Sequence, residues 1–213
     1  MYRPAHFVED RIEVLHALMA AHRLAAVVRD GPGGLEADHL PLLLDVARGP
    51  QGTLMGHVAR GNPLWQVAHE RSVLVLFQGP HAYLSPSWYP GKALHGRVVP
   101  TWNYAVVHVR GRLRAIENRA WLAAHLERMT DENENGFAAP WKVGDAPADF
   151  IDTLLGAIVG IEIDIASITG KWKVSQNRSE ADRLGAAAGL LERGLPGAPE
   201  IAALTADHGE NRS

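Results

Sequence analysis

Cysteine is absent from the 213 residues, which excludes disulfides, thiolate metal sites, iron–sulfur clusters and a cysteine nucleophile together. No run of about 18 apolar residues occurs. The amino-terminal MYRPAHFVEDR also lacks the apolar centre of a signal peptide, so the expected location is the cytoplasm and no membrane is expected as a partner. Positive charge is not in excess. Lys and Arg number 21 against 24 Asp and Glu, a net charge of -3, so nothing draws the whole molecule to phosphodiester backbones and DNA contact would need a local basic patch.

Several chemical signatures are missing as well. No GxGxxG opens a helix after the first strand, which removes a Rossmann dinucleotide site. Gly91-Lys92 is followed by Ala93, and Pro86 stands where a phosphate-cradling loop needs its first glycine. No GxSxG marks a serine hydrolase. Eleven histidines form neither HExxH nor a tight HxH cluster, and without cysteine a zinc site would need distant ligands, so no metal is expected. Taken singly, His39, His57, His81 and His108 read as hydrogen-bonded strand or loop residues.

What is present is a core: 46% of the residues are hydrophobic and 21% charged, the balance of a globular chain. No linker divides it, so residues 1–193 read as one domain and 194–213, rich in Gly, Pro and Ala, as a flexible tail. Apolar positions at steps of three and four predict a helix over 7–22. Short strands follow around the DGPGG and RGPQG turns, with Pro41 forcing an edge or an end to pairing. SVLVLFQ reads as a strand buried on both faces, 101–116 as a long strand with one wet face, and IVGIEIDIASI as the last strand. Helices are expected over 119–129, over 147–155 and from the Ser179 cap to Arg193, with DENENG as an exposed loop. The fold class is therefore mainly β with peripheral helices (α+β), an antiparallel barrel.

The stretch 77–104, FQGPHAYLSPSWYPGKALHGRVVPTWNY, holds two of the six Trp and three of the four Tyr. Rigid rings with polar tips suit a surface that clamps a flat ligand or a partner chain, or they cover one end of a barrel. Arg60 with Asn62, the rings from Tyr83 to Trp102, and Lys171, Trp172, Lys173, Ser175, Gln176, Asn177 and Arg178 could together serve a ligand with an anionic end, a hydroxylated middle and a flat aromatic end. Flavin mononucleotide (FMN) is such a ligand. KWKVSQNR reads equally as a solvated basic turn before the last helix.

Five blocks in order, HLPLLLD, GHVARGNP, FQGPHAYLSPSWY, VPTWNYAVVHVRG and GKWKVSQNR, resemble the PaiB family of FMN-binding negative transcriptional regulators, within the FMN-binding split-barrel group. The resemblance runs from MYRPAHF through SQNR. It implies a six-stranded split β-barrel and a homodimer with flavin at its interface. By the same resemblance, His39, Leu40 and Pro41 border the flavin ring or ribityl, and His57, Ala59, Arg60 and Asn62 hold the phosphate. Tyr83 and Trp102 lie near the ring or the interface, and Lys171, Trp172 and Gln176 act across the dimer.

Three functions stay open. The first is an FMN-binding regulator, although no helix-turn-helix is seen and the basic groups are only Arg110, Arg112 and Arg114 on one strand and the turn from Lys171 to Arg178. The second is a flavin oxidoreductase acting on a small molecule, for which no residue stands out as a general base. The third is heme binding or degradation, with His81 or His57 as axial ligand.

Overall fold

The protein was analysed as a computed structural model, which describes residues 1–67 and 69–207, with 67 and 69–71 described by their backbone alone. The first half comprises β1 (Val8–Glu9), α1 (Ile12–Ala21), β2 (Leu24–Gly31), β3 (Gly34–Pro41), β4 (Leu43–Asp45), β5 (Thr53–Ala59), β6 (His69–Leu84) and α2 (Gly91–His95). Then come β7 (Thr101–Ile116), α3 (Arg119–Glu134), α4 (Ala148–Gly156), β8 (Ile158–Lys173), α5 (Glu180–Arg193) and α6 (Ala198–Asp207). One sheet of eight strands results, in the order β3-β2-β6-β7-β8-β5-β4 with β1 on β8. It is antiparallel wherever register is defined, with helices at its margins. Six of its strands have seven residues or more. These answer to the expected six-stranded barrel, and the two- and three-residue β1 and β4 are additions to it.

Two compact units interleave along the chain: unit 1 takes 1–21, 78–108 and 169–213, and unit 2 takes 22–77 and 109–168. The three sixteen-residue strands β6, β7 and β8 each pass from one unit into the other.

In unit 2, β2 and β3 form a hairpin closed at Gly31↔Gly34, where Gly34 has φ +114, a conformation open to glycine and strained for other residues. β5 pairs with β8 from Thr53↔Asp164 to Ala59↔Ile158. Strand alternation then turns Val27, Leu54, Val58, Val75, Val109, Leu113, Val159, Ile161 and Ile163 into one buried face. Each such side chain contributes roughly 1.5–3 kcal/mol on leaving water. Pro41 ends β3, which is the free edge of the sheet, as its missing donor demands. Asn118 caps α3 by accepting from the Trp121 amide at 2.9 Å, and Leu122 and His125 face inward. α3 continues to Glu134, so most of the acidic DENENG stretch, expected as a loop, is its last turn. The docked first turns hold it, and only Asn135 and Gly136 leave the helix.

In unit 1, α1 begins at Ile12 rather than at Phe7, because Phe7 closes a 3-10 turn and Val8–Glu9 pair with Lys171 and Gly170 of β8. Leu15, Leu18 and Met19 are buried. Gly79 on β6 and Gly170 on β8 leave the room that Leu18 and Leu15 occupy. The expected short strand at HAYLS is the end of β6, which shortens the ring-rich connection to 85–100. Ser179 caps α5 by accepting from the Asp182 amide at 3.2 Å, and Trp88 packs on Gly185 and Gly189 of that helix. Residues 198–207, expected within the flexible tail, form α6, whose Ala198, Ile201, Ala202 and Thr205 are buried. Their helical spacing outweighs the loop-like composition around them. Residues 208–213 lie outside the described residues.

Candidate functional site

The expected residues divide between the units. Unit 1 brings together Tyr83, Trp102, Lys171, Trp172 and Gln176 at the end of β6, the start of β7 and the end of β8. Alternation puts Asn103 and Ala105 in the core and Trp102 outward, 53% exposed. Its indole stacks with His81 at 6.0 Å and meets Tyr83 edge-on at 6.3 Å. On β8 the same alternation buries Trp172 and directs Lys171 and Lys173 to the other face. Trp172 therefore belongs to the core of the unit. Gln176 folds back on its own turn, donating to the Trp172 carbonyl at 2.5 Å and accepting from the Val174 amide at 2.9 Å.

Lys171 is only 9% exposed. Its ammonium lies 5.3 Å from the Tyr104 ring and 5.7 Å from the Tyr2 ring, an arrangement in which ring quadrupoles replace a counter-ion. Lys173 donates to the Thr101 hydroxyl and the Trp102 carbonyl. Burial lowers its pKa, and the charges of Lys171 and Arg178 lower it further. The Arg178 guanidinium lies 5.5 Å over the Tyr89 ring. Among the described residues no carboxylate pairs with any of these three cations. Ser175, between them, is the one non-glycine with positive φ among the described residues, at 67°. Its hydroxyl exchanges hydrogen bonds with Asn103 at 3.0 and 3.1 Å, and Asn103 also donates to Thr205 of α6 at 3.0 Å.

Unit 2 holds the other seven residues. His39 and Pro41 point outward on the edge strand while Leu40 is buried. Ala59 is exposed at the end of β5. The three proposed phosphate donors beside it already have partners. Arg60 donates to Glu117 at 2.8 Å and to the carbonyls of Gly156 and Ile158 at 3.0 and 3.3 Å. Asn62 donates to Asp38 at 2.7 Å and accepts from the Leu64 amide. His57 Nδ1 lies 3.3 Å from His125 Nε2. None of these partners is near in sequence, apart from Leu64, so the sequence offered no sign that the donors were committed.

Beyond His57 lies a buried polar chain that the sequence reading missed. His125 stacks on Trp121 at 5.0 Å, and Trp121 donates its indole N–H to Glu162 at 2.9 Å. Glu162, 2% exposed, also accepts from Arg48 and Arg114. Burial raises its pKa, but the hydrogen bonds and charges of the two arginines outweigh that and hold the carboxyl below the usual range. Burial, then His57 and Arg128, hold His125 down to about 4, while Glu162 acts in the other direction. Asn103 could have been found: it has the parity of Val107 and Val109 on β7, and a polar residue on a core face needs a partner.

Residues 1–167 match the family described as "Putative FMN-binding domain". The chain belongs to this FMN-binding domain family. It is 33% identical, over 97% of both chains, to the protease synthase and sporulation protein PAI 2 of Bacillus subtilis. Its fold is similar to that of the flavocytochrome Anf3 from Azotobacter vinelandii, with a TM-score of 0.59, 15% identity and coverage of 81% of this chain and 72% of that one. It is also similar to the FAD and heme binding protein from Mycobacterium smegmatis, with a TM-score of 0.56, 17% identity and coverage of 76% and 71%. The fold is accordingly a split-barrel flavoprotein fold and the cofactor FMN. The chemistry of unit 1 fits this cofactor. FMN is a flat aromatic ring joined to a phosphate, and unit 1 presents exposed rings together with three cations that no carboxylate among the described residues neutralises.

Proposed function

We propose that this member of the FMN-binding domain family is a homodimeric flavoprotein of the transcriptional-regulator type, with its flavin at the dimer interface. The supporting observation is the set Lys171, Lys173 and Arg178 of unit 1, which no carboxylate pairs among the described residues, with Lys173 bonded to the carbonyl of the exposed Trp102 and Lys171 over the Tyr104 ring. Trp102, Tyr83 and Lys171 of unit 1 would hold the ring. FMN supplies one- and two-electron chemistry when bound, and a cation near its pyrimidine edge favours the reduced form. A second copy of the chain is suited to cover Leu94, Val99, Trp102 and Tyr2, apolar groups of unit 1 that are 82%, 62%, 53% and 82% exposed.

Regulation without direct duplex contact is the form of the reading that the charges favour. Arg114 is paired with Glu162, and α6, the second helix of the α5–α6 pair, carries no Lys or Arg. A recognition helix needs such groups. The name of the Bacillus subtilis relative, a protease synthase and sporulation protein, agrees with a regulatory role.

The test is the visible spectrum of the purified full chain, identification of the chromophore released by heat, and sedimentation velocity. FMN at one per chain in a dimer is the expected result. A monomer at micromolar concentration, or a protein that cannot be loaded with FMN, would overturn the reading.

A further inference from the structure

Unit 1 contains a cavity of about 80 Å3 lined by Thr101, Asn103, Lys173, Ser175, Asn177 and Arg178, with Phe7 as its apolar wall. Two of these residues are cations and none is an acid. The polar lining is held rigidly: Ser175 is kept at positive φ by its paired hydrogen bonds to Asn103, itself fully buried and tied to Thr205. Such a conformation is strained for a residue with a side chain and persists only where the surroundings enforce it. Donors remain unspent. Among the described residues the Arg178 side chain makes no hydrogen bond, the Asn177 side-chain amide makes none, and Lys173 uses two of its three N–H groups. Under the Arg178 guanidinium lies the Tyr89 ring, 5.5 Å away.

We infer that this cavity is a binding site for the phosphate group of a small molecule. A fork of guanidinium donors, an ammonium and a carboxamide converging on a small enclosed space match the charge and tetrahedral geometry of a phosphate better than those of a neutral ligand. Burial first, and then the charges of Lys171 and Arg178, lower the pKa of Lys173. The strained Ser175 turn, which brings Lys173 and Arg178 to the same cavity, is then a preformed cradle. The phosphate is either that of FMN, a source that rests on the flavin reading above, or that of a separate phosphorylated molecule or free phosphate, which does not.

The experiment titrates inorganic phosphate, by calorimetry, into the full-length protein in flavin-free, riboflavin-loaded and FMN-loaded forms. It also compares FMN with riboflavin binding for the wild type, Arg178→Gln and Lys173→Gln. Inorganic phosphate is expected to bind the flavin-free protein, and each variant should weaken it about tenfold or more, as loss of a charge-assisted donor implies. If the site takes the flavin's phosphate, FMN blocks inorganic phosphate, riboflavin does not, and the variants lose affinity for FMN but not for riboflavin. If the phosphate is separate, the FMN-loaded form binds it as the flavin-free form does. Should Arg178→Gln fail to fold, Arg178→Lys keeps the charge and removes the fork, with the same weakening expected. Absence of phosphate binding in every form together with unchanged FMN affinity in the variants, or phosphate binding that the variants leave intact, would overturn the inference. A protein that takes no flavin at all defeats the flavin reading alone, because the phosphate titration of the flavin-free protein still decides this site.

Discussion

His125 ties stability to pH, and substituting it isolates that dependence. The imidazole is 5% exposed, stacks on Trp121 and lies 3.3 Å from His57. It takes its proton near 6.5 in the unfolded chain and at about 4 in the folded one. Between those values the unfolded state binds more protons, so this contribution is whole above 6.5 and is lost as pH falls toward 4. At about 1.36 kcal/mol per pH unit the full loss is about 3 kcal/mol, of which about 2.5 kcal/mol has gone by pH 4.5. His125→Phe keeps a ring against Trp121 and removes the titration. Urea unfolding at about pH 7 and pH 4.5 should show the wild type losing about 2.5 kcal/mol more than the variant. His57, whose pKa burial also lowers, and Glu162, which responds in the same direction at lower pH, are kept in both proteins. Equal losses within about 0.5 kcal/mol would refute the reasoning, as would an NMR titration of the His125 ring with a midpoint near 6.5.

Three further outcomes are expected. Glu162→Gln removes the buried acceptor of the part-exposed Arg48 and Arg114 and should cost about 1–3 kcal/mol, seen as a lowered urea midpoint; a change below about 0.5 kcal/mol would mean that the arginines find other partners. Gly160→Ala places a methyl group against the Trp121 ring and should cost about 1–3 kcal/mol and alter the near-ultraviolet circular dichroism of that indole. Trp102→Ala, at a half-exposed position, should leave the melting temperature of the flavin-free protein nearly unchanged. It should weaken FMN binding about five- to tenfold through lost ring contact, measured by quenching of flavin fluorescence; unaltered affinity would remove Trp102 from the proposed site.

Alternation was legible because it is a local property. Val107 and Val109 announce β7 and its buried face, Val159 to Ile165 announce β8, and Ser179 announces the start of α5 whatever the rest of the chain does. The resemblance blocks carried family and cofactor for the same reason: they are continuous segments. The charge balance of the site depends instead on partners distant along the chain. Arg60 looked like a free phosphate donor until Glu117 and the carbonyls of Gly156 and Ile158 were found against it. His57 looked solitary until α3 brought His125 to it, and the 198–207 segment looked loose until Thr205 met Asn103. Conversely, Lys171, Lys173 and Arg178 could be seen as a basic turn, but only the folded chain shows that no carboxylate among the described residues approaches them. The order of residues alone determined strands, faces, family and cofactor, since these follow from side-chain periodicity and contiguous motifs. Which charges are neutralised and which are left for a ligand was decided by the tertiary structure, because electrostatic pairing depends on distance through space.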